Sequence, residues 1–379
     1  MSILFEESSI NKMLLKNRFV RAATWEGLAT QQGEVTPELI NMMTSLAKGG
    51  VGLIVTSHSY VSQEGQGTPW QLGVYDDKLI PKLEALTSAV HDNNGKIVMQ
   101  LAHAGLYAAV ELTGRAALAV SDPDGFPEGN VRTITSEDIQ HLTSSYTQAA
   151  KRARAAGFDG IEIHSGHGYL LSQFLSPAYN KREDEYGGAI ENRARIHLQI
   201  YQDIREVVGT DYPILIKMNG ADFIENGLTK EDSLQAAELF ANAGFDAIEV
   251  SGGIIRAGTL SPSRPGITTE DKEAYFEEYA KHFKKHIKTP LILVGGFRSF
   301  TVADRIVSEG IADYISMSRP FIREPGLINR WENDDLRKAE CKSDNLCFNP
   351  GFEGHGVYCV TKELEKNKNS GQHITSLFS

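Results

Sequence analysis

The sequence predicts an α/β chain folded as one (β/α)8 TIM barrel, with a lid-like insert after the third strand and a short cysteine-containing C-terminal tail. Two observations carry this reading. Eight short β-type runs, at residues 18–23, 51–58, 96–102, 158–164, 213–219, 245–252, 291–296 and 312–318, are almost all nearly continuous in apolar residues. That is the pattern of parallel strands covered on both faces. A segment with helical periodicity follows each run, and alternation over this length points to a closed barrel. A third observation removes the competitor: a doubly wound sheet would need a Gly-x-Gly-x-x-Gly turn near its start, and there is none.

Local signals punctuate the elements in order. Thr36-Pro37-Glu38 places proline at a first helical position, and Thr135-Ser136-Glu137-Asp138 and Thr229-Lys230-Glu231-Asp232 read as N-terminal caps. Gly157, Gly244 and Gly310 each stand between a helical pattern and the next strand, where a left-handed cap is needed. Residues 104–135, rich in Gly, Pro and Asp, are too long for a plain connection and read as a lid or small hairpin over the barrel mouth. A second insert, 254–269, follows the sixth strand. Both lie on the carboxyl side of their strands, the side that builds barrel active sites. The barrel is assigned to residues 1–335 and a C-terminal extension to 336–379.

Composition narrows the function. Apolar residues make up 41% of the 379 and charged ones 23%, ordinary for an enzyme. A net charge of −11 argues against nucleic-acid or anionic-membrane surfaces but leaves room for a local basic pocket. No apolar run approaches the roughly 20 residues that span a bilayer, and the N-terminus lacks the regions of a signal peptide. Three cysteines suggest a reducing compartment, so a cytoplasmic protein is expected. The expected partner is a small molecule, with homo-oligomerisation left open.

The chemistry concentrates where the fourth strand breaks out into His164-Ser165-Gly166-His167-Gly168-Tyr169. Two imidazoles three apart at a strand exit can share a cavity; they also fit structural histidines, or zinc, although no third ligand stands nearby. Gln100 ends an apolar strand, and a buried amide demands partners. Lys217, inside Ile214-Leu215-Ile216-Lys217-Met218-Asn219, is costly in an apolar strand unless it meets a charge; snorkelling or a Schiff-base lysine of a barrel lyase or aldolase are the other readings. Val294-Gly295-Gly296 and Ser318-Arg319, after the seventh and eighth strands, have the make-up of a barrel phosphate site.

The run His164-x-x-His167-Gly168-Tyr169, followed by Phe174-Leu175-Ser176-Pro177 and Tyr186-Gly187-Gly188-x-x-Glu191-Asn192-Arg193, resembles the signature of the Old Yellow Enzyme family of FMN-dependent NAD(P)H oxidoreductases and ene-reductases. The resemblance implies non-covalent FMN, reduced by NADH or NADPH in a ping-pong cycle, and an α,β-unsaturated carbonyl acceptor. His164 and His167 would donate to its carbonyl oxygen, and Tyr169 would supply the proton. Ala23 and Thr24 would flank the flavin, with His58 where many relatives have a small residue and Trp25 where they have Cys, Thr or His. Gln100 would meet the ring edge, and Lys217, where arginine is frequent, the N1–C2 carbonyl. Gly295, Gly296, Ser318 and Arg319 would hold the phosphate, and His103 is read as structural or as a support behind the site. Relatives of the dienoyl-CoA reductase type carry four cysteines that bind a [4Fe–4S] cluster; here Cys341, Cys347 and Cys359 stand with Asp344, so neither a cluster nor another metal is expected. An amine dehydrogenase or a dienoyl-CoA reductase-like enzyme is the alternative within flavoenzymes.

Overall fold

The computed structural model describes residues 2–122 and 129–369. Strands β1 (Phe19–Arg21), β2 (Leu53–Tyr60), β3 (Ile97–Ala102), β4 (Gly160–Ser165), β5 (Ile214–Asn219), β6 (Ala247–Ser251), β7 (Leu291–Val294) and β8 (Tyr314–Met317) are all parallel neighbours. They close in sequence order, β8 pairing β1 through Ile315 and Phe19. The expected (β/α)8 barrel is therefore observed, with strand ends shifted by no more than two residues.

The capping residues act as their chemistry dictates. Thr36 accepts the N–H of Leu39 at the start of the helix Pro37–Lys48. Thr135 and Asp138 form a reciprocal capping box on the helix Ser136–Ala155. The helix Lys230–Ala243 ends on Gly244 at φ 102°, a conformation glycine adopts without steric cost.

The barrel interior is divided along its axis. Val20, Leu53, Val55, Val98, Leu215, Ala247, Ile292 and Tyr314 fill the lower layers, and Ile10, Met13 and Leu15 pack onto them from below. The last three belong to an antiparallel hairpin, Ser8–Ile10 with Met13–Leu15, which plugs the amino end and was not anticipated from the sequence. Above this apolar fill the inward positions turn polar: Gln100, Glu162, Lys217, Glu249 and Ser316, none more than 3% exposed.

The first insert differs from the expected hairpin. Ala117–Ala119 and Val131–Thr133 pair in parallel, with Ala117 opposite Val131, whereas a tight hairpin would have paired them antiparallel. Residues 123–128 of that stretch lie outside those described. Ala104, Ala108 and Ala117 pack with Tyr107 and Tyr169, so the insert flanks the mouth at Tyr169. The second insert forms 3-10 turns at Ile255–Leu260. The extension returns across the mouth, where Cys347 and Val357 pack on Trp25 and Val357 donates its N–H to the Glu26 carbonyl at 2.7 Å.

Candidate active site

After Ser165, β4 gives way to a turn in which His167 takes φ 63° and Gly168 φ 86°. A left-handed residue carrying a Cβ is uncommon, histidine being among the more tolerant, and costs of order 1 kcal/mol. Asn219 Oδ1 holds the turn by accepting the His167 N–H at 3.1 Å. A backbone bridge to Ile254 adds support. The bend carries Tyr169 back over the strand end, and a cluster of rings results. Centroids lie 5.2 Å apart for His164 and His167, 5.0 Å for His164 and Tyr169, and 5.2 Å for His58 and Tyr169.

All four rings line one cavity of about 540 Å³, together with Ala23, Thr24, Gln100, Lys217, Gly296, Ser318 and Arg319. Burial first pushes both His164 and His167 well below the ordinary histidine range, helped by His167, His58 and Lys217 for the former and by Lys217 and His58 for the latter. Burial lowers His58 to about 4 and raises Tyr169 to about 12. At neutral pH the cavity wall therefore presents neutral imidazoles and a protonated phenol. His167 Nε2 lies 2.8 Å from Ser251 Oγ, and His58 Nε2 3.3 Å from the Tyr169 hydroxyl. His164 Nδ1 is buried without a partner.

The cavity floor is the polar layer of the barrel. Gln100 Nε2 donates to Glu162 Oε1 at 2.7 Å. Lys217 Nζ pairs with Glu249 Oε1 at 3.1 Å, and the Ser316 hydroxyl donates to the same oxygen at 2.8 Å. Lys217 thus meets the charge its position demands. A Schiff-base lysine needs a free amine, which this ion pair does not offer.

At the far end stand two guanidiniums, Arg298 and Arg319, without carboxylate partners among the described residues. Arg298 bonds the carbonyls of Ile267 and Ala339. Arg319 Nη1 lies 2.9 Å from the Arg264 carbonyl and 2.6 Å from Asn345 Oδ1. Thr24 Oγ1 sits 2.7 Å from Ser318 Oγ. Gly295, at φ 152°, stands behind the lining, its carbonyl accepting from Tyr275 N at 3.2 Å. A cation on the floor, an amide beside it and paired arginines at one end suit a flat, anionic, phosphorylated ring system. The donors present fit a flavin mononucleotide, with Gln100 and Lys217 at the ring and Arg298, Arg319 and Gly296 at the phosphate.

Besides Gly295, His103 stands outside the cavity lining, and Trp25 is turned to other contacts at its rim. His103 is buried away from the cavity, its Nδ1 accepting the Gly105 N–H at 3.0 Å. Trp25 lines the rim, but its Nε1 donates to the Pro69 carbonyl at 3.2 Å and its ring packs on Phe352 at 4.7 Å. Sequence reasoning missed Glu162, Glu249, Ser251, Ser316, Arg298 and Asn345. A signal existed for the first two. Gly157-Phe158-Asp159-Gly160-Ile161-Glu162 and Gly244-Phe245-Asp246-Ala247-Ile248-Glu249 repeat one pattern, each with a charge inside an apolar strand.

Cys341, Cys347 and Cys359 are free, and burial raises the Cys347 thiol to about 12. The Asp344 carboxylate is occupied by the Leu346 N–H and the Thr361 hydroxyl. Among the described residues no group of three His, Cys, Asp or Glu side chains is placed to hold a metal ion. Three sulfurs and an engaged carboxylate do not make up the four-thiolate set of an iron–sulfur cluster. Among the described residues no helix is long and apolar enough to cross a membrane.

The barrel and its ring-lined cavity define an Old Yellow Enzyme-like architecture. The chain belongs to the NADH:flavin oxidoreductase / NADH oxidase family, whose sequence model matches residues 3–337. It is 36% identical, over 96% of its length, to an NADH oxidase of Thermoanaerobacter brockii and spans 58% of that relative. Against a 4,4'-dithiodibutanoate disulfide reductase of Rhodococcus erythropolis it is 30% identical, with 95% of each chain covered. An old yellow enzyme homologue from Zymomonas mobilis superposes with a TM-score of 0.77 at 27% identity, covering 92% of this chain and 98% of that one.

Proposed function

We propose that this protein is an FMN-dependent NAD(P)H oxidoreductase that reduces the C=C bond of α,β-unsaturated carbonyl compounds in a ping-pong cycle. The observation that carries the reading is the convergence of His164, His167 and Tyr169 on one cavity above Lys217 and Gln100. FMN bound here supplies the hydride that the acceptor's β-carbon receives.

The protein's own groups do the rest. His164 and His167, neutral through burial, each donate one N–H to the acceptor's carbonyl oxygen and stabilise the enolate-like charge that develops there. One such donor is worth roughly 3 kcal/mol in oxyanion sites. The Ser251 hydroxyl, 2.8 Å from His167 Nε2, donates to that nitrogen and leaves the other ring nitrogen to carry the proton. Tyr169, held protonated, delivers its proton to the α-carbon. Arg298, Arg319 and Gly296 bind the phosphate, with Asn345 of the extension orienting Arg319. Residues 336–369 of the extension act, in this reading, as an appendage that completes the rim through Ser343, Phe348 and Phe352.

The test begins with the absorption spectrum of gently purified protein. Anaerobic mixing with NADH and NADPH follows, then reoxidation by cyclohex-2-enone and by an organic disulfide, the acceptor class for which the Rhodococcus relative is named. Bleaching by nicotinamide and reoxidation by the enone with uptake of two hydrogens is expected. A colourless protein that refuses added FMN, or a reduced flavin reoxidised by the disulfide but not by any enone, would overturn the assignment.

A further inference from the structure

Two carboxyl groups sit fully buried behind the cavity lining, Glu162 on β4 and Glu249 on β6, both 0% exposed. One oxygen of each is accounted for. Glu162 Oε1 accepts from Gln100 Nε2, and Glu249 Oε1 accepts from Lys217 Nζ and the Ser316 hydroxyl. The second oxygens, Glu162 Oε2 and Glu249 Oε2, are buried and find no donor among the described residues. Glu249 also acts on the Glu162 carboxyl, whose proton affinity it raises. Two ionised carboxylates cannot occupy this arrangement comfortably, since each would press lone pairs on the other in a medium that screens little. Around them stand Gln100 from β3, Lys217 from β5 and Ser316 from β8, with His164 two residues above Glu162 on β4. Arg21 on β1 is engaged elsewhere, bonding Glu26 at 2.9 Å. Lys217 therefore supplies one positive charge against two potential negative ones.

We propose that Glu162 and Glu249 share a single proton, and that this acid pair acts through Lys217 to fix the charge presented to the flavin edge. With the proton in place the cluster of Lys217 and the pair is neutral, and the one negative charge is spread over both carboxyls. Without it the floor would carry a net negative charge facing the ring, and reduction to an anionic flavin would be opposed. Burial first, then the Glu249 carboxylate, raise the proton affinity of Glu162. The residues are positioning residues, because they reach the ring only through Lys217 and Gln100.

The claim about the proton stands apart from the proposed ene-reduction; the claim about the ring edge rests on flavin binding. Infrared difference spectroscopy of the flavin-free protein tests the first. A carbonyl stretch of a protonated carboxyl, shifting in D2O, is expected in the wild type across neutral pH and absent from both Glu162→Gln and Glu249→Gln. No such band in the wild type, or a band that survives in Glu162→Gln, overturns it, and the wild-type result decides even if a variant does not fold. The midpoint potential of bound FMN tests the second. Glu162→Gln offers Glu249 an amide donor in place of the shared proton, so the potential is expected to stay at the wild-type value. A positive shift corresponding to tenfold or more in the ratio of reduced to oxidised flavin, about 30 mV for two electrons, would show that both carboxylates were ionised and end the proposal.

Discussion

Replacing Tyr169 by phenylalanine removes one oxygen and leaves the ring in place against His164 and His58, with centroids at 5.0 and 5.2 Å. The lost contact is the 3.3 Å bond to His58 Nε2, long enough that stability should change by no more than about 1 kcal/mol. The effect on chemistry is far larger. Burial raises the phenol to about 12, so the acid is loaded at any pH the enzyme tolerates. A positioned general acid contributes about 10²- to 10⁴-fold, or roughly 3–5 kcal/mol of barrier. Stopped-flow reoxidation of the reduced enzyme by an enone should slow by that factor in Tyr169→Phe, while reduction by NADH proceeds at the wild-type rate. Because His58 titrates at about 4 and Tyr169 at about 12, wild-type reoxidation should be flat between about pH 5 and 9. Equal losses in both half-reactions, or a wild-type rate that titrates near the ordinary histidine value, would refute the reasoning.

Three further expectations follow from the same geometry. Arg319→Ala should weaken FMN binding about ten- to a hundredfold through loss of charge-assisted bonds and leave riboflavin affinity unchanged; parallel fluorescence titrations of flavin-free protein decide this, and equal losses for both ligands would misplace the phosphate. Lys217→Met leaves Glu249 buried without its cation and should cost about 3–5 kcal/mol in denaturant unfolding, most of it recovered in Lys217→Met with Glu249→Met, whereas a loss below about 1 kcal/mol would show a wet, surface-like pair. His58 and His103 are both lowered by burial to about 4, so the unfolded chain binds more protons below the ordinary histidine value. Stability should be full above about pH 6.5 and fall as pH drops towards 4, by at most about 3 kcal/mol for each histidine. His103→Gln should flatten that fall in a pH series of unfolding curves, and an unchanged slope would contradict it.

The eight barrel strands could be read directly because both faces of each are buried, which writes them as apolar runs. Their ends were harder. The run 291–296 continues through Gly295 and Gly296, yet the ladder stops at Val294 because those glycines turn at φ 152° and 75°. The amino-terminal hairpin escaped notice because three-residue strands hardly show alternation, although Asn11 at φ 52° marks a residue type that tolerates such a turn. In the site, the paired imidazoles and the tyrosine could be found because six residues hold all three. Ser251, 84 residues from His167, is brought to it only by barrel closure, and no local signal announces that. Glu162 and Glu249 were within reach. The argument that singled out Lys217, a charge among apolar strand residues, applies to them without alteration, and the partner that Lys217 required is one of them.

The bond from Asn345 to Arg319 has a bearing on how the protein is put together. Every strand of the barrel leaves the ribosome before Asn345 does, so the wall around Arg319 is finished last. On the proposed assignment, flavin capture follows docking of the extension on Trp25. A protease that nicks the chain between Asp335 and Asn345 should release colour from a barrel that otherwise stays folded.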